Sequence, residues 1–97
     1  MPNFDLASTA LLEPELLDIL SAVEKGMGQY ESVPLSFCVS VAHARPRRVP
    51  QVLGQLGRLK LVHHDARQQG GGGYSLSERG LDVLALSGMF RRGIVMD

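Results

Sequence analysis

The order of elements in the sequence predicts an α+β, mainly α domain: a winged helix-turn-helix with a β-hairpin wing and an extra C-terminal helix. Three observations predict it. Apolar residues recur at three- and four-residue spacing in consecutive segments between Glu13 and Leu59, the mark of amphipathic helices. Two short stretches of strand character then flank a glycine-rich tip. A last helical segment follows Ser77, a residue suited to an N-cap.

The first helix is expected from Glu13 to Met27, with Leu16, Leu17, Ile19, Leu20, Val23 and Met27 on its apolar stripe. Pro14 suits its first turn, Gly26 and Gly28 stop it, and Glu13, Glu15 and Asp18 complement the positive end of the helix dipole. Val33-Pro34 opens a second helix of about two turns, residues 34–42, burying Leu35, Cys38, Val39 and Ala42. Arg45-Pro46 breaks it, because the residue before proline is pushed out of the helical region. The third helix, residues 47–59, turns Val49, Val52, Leu53, Leu56 and Leu59 inward and Arg48, Gln51, Gln55 and Arg58 outward. Residues 61–64 form the first wing strand, residues 68–73 the tip, and Tyr74-Ser75-Leu76 the returning strand. Residues 78–90 close the domain, with Leu81, Leu84, Ala85 and Met89 in helical register. Whether residues 6–12 extend the first helix is left open by the sequence.

At 97 residues the chain has room for one core and none for a second domain. A lone Cys38 excludes an internal disulfide and fits a reducing compartment. The start, Met1-Pro2-Asn3-Phe4-Asp5, lacks the basic and apolar regions of a secretory signal, and no apolar run reaches bilayer-spanning length, so an intracellular protein without a membrane partner is expected.

The net charge of zero hides a division. Residues 1–42 carry six acids against Lys25 alone, whereas residues 43–67 carry six bases, Arg45, Arg47, Arg48, Arg58, Lys60 and Arg67, against Asp65 alone. A basic block on a helix-turn-helix is a footprint for polyanions. In such modules the third helix presents Arg and Gln to base edges while flanking cations hold phosphates. Arg48, Gln51, Gln55 and Arg58 are therefore the expected base-facing residues, with Arg45, Arg47, Lys60 and Arg67 on phosphates. Pro50, Gly54 and Gly57 weaken that helix, which favours recognition of shape and phosphate over long sequence reading.

Enzymatic alternatives fail on context. The run Gly70 to Gly73 leads into a strand, whereas a phosphate loop leads into a helix. His43, His63, His64 and Cys38 match no zinc spacing, and neighbouring strand residues face opposite ways. No base stands beside Cys38 to activate it. No catalytic residue, cofactor site or metal site is expected in this chain.

Several segments resemble the N-terminal winged-helix domain of the second subfamily of Rio atypical serine/threonine protein kinases. They are Ala22-Val23-Glu24-Lys25-Gly26-Met27-Gly28, Glu31-Ser32-Val33-Pro34, Val52-Leu53 with Leu56, Lys60-Leu61-Val62, Gly73-Tyr74-Ser75-Leu76-Ser77, Gly80-Leu81-Asp82 and Leu84-Ala85-Leu86. The sequence departs from the family pattern at Arg47-Arg48 with Pro50, where a glycine pair is common, and at Leu81, where an aromatic residue is common. The resemblance implies a winged-helix domain over residues 1–90 and, in residues 91–97, the start of a linker toward a kinase domain. It also implies a parent that uses ATP and Mg and acts in maturation of the small ribosomal subunit. The implied partners are ribosomal RNA or the pre-ribosomal particle, and the parent's own kinase domain. A monomer in the cytoplasm, shuttling to the nucleus, is the matching expectation. Two alternatives stand beside RNA docking. One is a protein-interaction or intramolecular domain using the acidic first helix and Met89, Phe90 and Ile94; the other is a DNA-binding regulator.

Overall fold

In the computed structural model the described residues are 13–66 and 72–96, with side chains of the last helix described as far as Ser87. Among them the chain forms α1 (Pro14–Gly26), β1 (Val33–Pro34), α2 (Leu35–Val41), α3 (Arg48–Arg58), β2 (Val62–Asp65), β3 (Gly73–Leu76) and α4 (Glu78–Met96). The fold is a winged helix. α1 is its hub and packs against α2, α3, β3 and α4. Leu16, Ile19, Leu20 and Val23 of α1 meet Cys38 of α2, Val49, Val52, Leu53 and Leu56 of α3, and Leu61, Leu76 and Val83 in one core.

The wing is a sheet of three strands in the order β1-β3-β2, all antiparallel. The hairpin register pairs Val62 with Leu76 and Asp65 with Gly73. β1 corrects the sequence expectation, which placed Val33 and Pro34 at the start of the second helix. Val33 instead pairs with Tyr74 and is fully buried, and Pro34, extended at φ −70° and ψ 152°, is the N-cap residue of α2. A proline without an N–H fits an edge strand. α4 also differs: spacing predicts an end near Phe90, yet the backbone stays helical to Met96. Residues 91–96 contain no proline, and one internal Gly93 costs a helix only about 1 kcal/mol.

The exit from α3 sets the geometry of the wing. The Leu61 N–H bonds to the Leu56 carbonyl (2.9 Å) and the Lys60 N–H to the Gly57 carbonyl (3.0 Å), a Schellman ending with buried Leu56 and Leu61 as its apolar clasp. The left-handed position of that motif usually belongs to glycine; here it is Lys60, at φ 63°. Ser77 then ties α4 to this exit. Its N–H bonds to the Leu61 carbonyl (3.0 Å), its hydroxyl donates to the Lys60 carbonyl (2.7 Å), and its oxygen accepts the Gly80 N–H (3.1 Å) as an N-cap.

Candidate nucleic-acid interface

α3 buries Val49, Val52, Leu53 and Leu56 and leaves Pro50, Gln51, Gly54, Gln55, Gly57 and Arg58 exposed along its outer side. Arg45 and Arg47 stand in the exposed turn before it, and Lys60 is exposed just after it. An eleven-residue helix is about 16 Å long, so these cations bracket a span of a few phosphates. No side-chain hydrogen bond or ion pair engages Arg45, Arg47, Arg58 or Lys60 among the described residues. Arg67 lies outside the described residues. Pro50 falls in the first turn of α3, where its missing N–H breaks no helical hydrogen bond. A methyl group added at Gly54 or Gly57 would meet nothing within 4 Å, so neither glycine is required by packing within the domain.

Arg48 differs from the other described cations expected at the interface because it is already engaged. Its Nε donates to both carboxylate oxygens of Glu15 (3.2 and 3.1 Å) and its Nη2 to Glu15 Oε1 (2.6 Å). Its Nη1 donates to Gln51 Oε1 (2.6 Å). The hydrogen bond from Arg48 holds the Glu15 carboxyl below its ordinary range, and the same bond raises the Arg48 guanidinium. Beside this pair, between the start of α1 and the outer side of α3, opens a cleft of about 530 Å³ lined by Glu13, Glu15, Leu16, Arg48, Gln55, Arg58 and Leu59.

Asp18 fixes the turn that aims α3. Its carboxylate accepts the His43 N–H (3.0 and 3.1 Å) and the Ala44 N–H (2.9 Å), and His43 Nδ1 lies 3.1 Å from Oδ1. Burial pushes this carboxyl up, but the hydrogen bonds from His43 and Ala44 outweigh it and leave it below the usual aspartate range. Beside the helix-dipole role expected of these acids, which Glu15 keeps in the first turn of α1, Glu15 and Asp18 make contacts across the fold. Both are tertiary partners of the helix-turn-helix unit, which sequence spacing could not reveal across separations of 33 and 25 residues.

On the wing, the His64 ring stacks on Tyr74 with centroids 4.8 Å apart, and His63 is exposed. Gly72 has φ +83°, and a side chain there would strike the His64 ring and the Asp65 carbonyl, so this end of the tip demands glycine. Cys38 is fully buried and burial pushes its thiol up to about 11, far from a reactive thiolate. Among the described residues no three His, Cys, Asp or Glu side chains gather as a metal site, and no helix is long and apolar enough to cross a membrane.

Residues 9–92 match the family described as Rio2, N-terminal. The chain is 34% identical over 91 residues to the serine/threonine-protein kinase rio2 of Dictyostelium discoideum and 33% identical over 95 residues to serine/threonine-protein kinase RIO2 of Caenorhabditis elegans. These alignments take in 86% and 98% of this chain but 17% and 18% of the relatives, so the chain spans about a sixth of their length. Among solved structures it is similar to the Rio2 kinase–ADP/Mg2+–phosphoaspartate complex of Chaetomium thermophilum, with a TM-score of 0.75 and 26% identity over 88% of this chain and 26% of that one. A second structure of the Chaetomium thermophilum Rio2 kinase superposes with a TM-score of 0.70 and 27% identity, covering 86% of this chain and 24% of that one.

Proposed function

Because the chain belongs to the Rio2 N-terminal family, we propose that it is the RNA-docking domain of a Rio2-type serine/threonine kinase that acts on the maturing small ribosomal subunit. The observation that carries this reading is the outer side of α3. Arg45, Arg47, Arg58 and Lys60 stand exposed around two exposed glutamines, on a helix whose outward glycines bring its backbone within reach of a ligand. Lys60 adds support, because it occupies a left-handed position that glycine would fill at lower cost. A strained backbone kept for the sake of a lysine suggests that the ammonium has a task, and a phosphate at the base of the wing is one.

ATP and Mg belong, in this proposal, to the remainder of the parent. The residues here do not fit them: the sequence carries neither a glycine loop opening a helix nor the lysine and aspartates that hold nucleotide and metal in kinases. The domain's own work is positioning.

Structured RNA should bind this chain at low salt and weaken linearly on a log–log plot as salt rises. Replacing Arg47, Arg58 and Lys60 together with alanine should lower affinity at least about tenfold and flatten the salt slope by about 0.7 to 0.9 for each phosphate no longer neutralised. Filter binding or fluorescence anisotropy across a salt series checks both. Equal affinity of the two proteins would remove the outer side of α3 from the interface.

A second interface accompanies the first. Leu81 is 45% exposed and Leu86 39% exposed on α4, and with exposed Ala85 they make a strip, apolar but for the exposed Asp82 within it, suited to a protein neighbour such as the parent's own kinase domain. Phe90 and Ile94, also expected in such an interface, lie outside the described side chains. If a kinase domain covers this strip, amides of α4 should exchange hydrogen more slowly in the full-length parent than in the 97-residue chain. Unchanged exchange would argue against the interface.

A further inference from the structure

The Glu15–Arg48–Gln51 chain of hydrogen bonds does more than neutralise one arginine. A guanidinium has only donors, so the end of the Gln51 side chain that lies 2.6 Å from Arg48 Nη1 has to be the carbonyl oxygen. The amide's acceptor is thus turned back onto the protein. Its NH2 group, with two donors, is left on the side away from Arg48, on a residue that is exposed. Arg48 is itself kept from rotating by the three hydrogen bonds, between 2.6 and 3.2 Å, that Nε and Nη2 make with Glu15.

We infer that Glu15 and Arg48 are positioning residues that lock Gln51 as a donor, so that α3 selects RNA edges rich in acceptors, guanine or uracil, over adenine. This rests on the RNA-docking reading of the same helix. Glutamine pairs with adenine by using both ends of the amide, the oxygen on the exocyclic amino group and the NH2 on the ring nitrogen. With the oxygen committed to Arg48, that pairing requires breaking a charge-assisted hydrogen bond, whereas two adjacent acceptors such as O6 and N7 of guanine meet the free NH2 group directly. The uracil O4 and phosphate oxygens are met in the same way. Glu15, a carboxylate beside the outer side of α3, thereby acquires a role other than repelling RNA: it sets which base that side prefers.

The test is a comparison of affinities. RNA stem-loops with one common stem and loops of guanine, uracil or adenine are titrated into the 97-residue chain by fluorescence anisotropy at low salt. The wild type should bind guanine and uracil loops about fivefold to tenfold more tightly than adenine loops, the discrimination of a modest base contact. Glu15→Gln removes a negative charge and leaves Arg48 only one neutral acceptor, which loosens its hold, so overall affinity should rise while the guanine-to-adenine ratio falls toward one. Arg48→Met should flatten the same ratio with a lower overall affinity. Gln51→Glu, which presents acceptors only, should lose the guanine preference outright. Because Glu15, Arg48 and Gln51 stand at or near the surface, circular dichroism should show all three variants folded. A wild-type ratio near one, or a ratio that survives Glu15→Gln and Arg48→Met, overturns the inference while leaving RNA docking standing. No binding to any loop at low salt overturns both.

Discussion

Gly80→Ala should destabilise the domain by about 3 kcal/mol and lower its melting midpoint by on the order of 15 °C. A methyl group built at Gly80 runs into the Leu61 carbonyl oxygen and lies 3.2 Å from the Leu61 carbonyl carbon and 3.3 Å from Leu76 Cδ2. The first two atoms are backbone and cannot swing aside as a side-chain tip would. Relief requires the start of α4 to retreat from the α3 exit, which stretches the Ser77 N–H bond to Leu61 and the Ser77 hydroxyl bond to Lys60. Alanine ordinarily gains about 1 kcal/mol over glycine in a helix, so the expected loss has the opposite sign to the propensity rule. Gly54→Ala and Gly57→Ala supply the control. Both positions face open space, and each substitution should stabilise by about 1 kcal/mol. Thermal melts of the three variants check the pair of claims together, and a Gly80→Ala midpoint equal to wild type would falsify the close approach of α4 to Leu61.

Asp18→Ala is expected to cost about 2 kcal/mol, because two backbone N–H groups, one of them part-buried, lose a charged acceptor at once. Asp18→Asn, which keeps one acceptor oxygen, should cost less. The effect carries a pH signature of definite sign. The folded-state value lies below 3.8, the ordinary value for aspartate, so the charged form is favoured by folding. Stability from this residue is therefore fully present above the unfolded value and is lost as pH falls through the lower, folded one. Wild type should accordingly lose stability between about pH 5 and the folded value more steeply than Asp18→Asn. Urea denaturation of both proteins over that window measures the difference, and parallel curves would rule out a depressed Asp18. Beyond stability, Asp18→Ala loosens the His43–Ala44 turn, and with it the direction in which Arg45 and Arg47 are held.

What the sequence made legible follows from what leaves a periodic trace. α1 and α3 repeat apolar residues over several turns, with Pro14, Gly26 and Gly28 bounding the first and the Arg45-Pro46 break preceding the other, so their extents come out within a residue or two. β1 leaves no such trace. Two residues cannot show alternation, and Val33 is committed to the sheet only by Tyr74, 41 residues away. The length of α4 was hidden for a different reason: the resemblance implies that a linker starts at Arg91, although neither the Arg91-Arg92 pair nor Gly93 forbids a helix. On the outer side of α3, composition and helical spacing group the cations, but nothing local distinguishes Arg48 from Arg47 or Arg58. Only the folded chain brings Glu15 against the first of these and leaves the other two unpaired among the described residues. The division into an acidic first part and a basic middle was the one available hint that α1 and α3 attract one another.

The burial of Cys38 has a practical side. A thiol with no exposed surface, and with its ionisation pushed up to about 11, is a poor target for maleimide chemistry at neutral pH. A cysteine placed at Gly57, where nothing lies within 4 Å, becomes the one readily labelled thiol without removal of the native one. A dye attached there would sit on the outer side of α3 itself, turning the domain into its own fluorescent reporter of whatever approaches that helix.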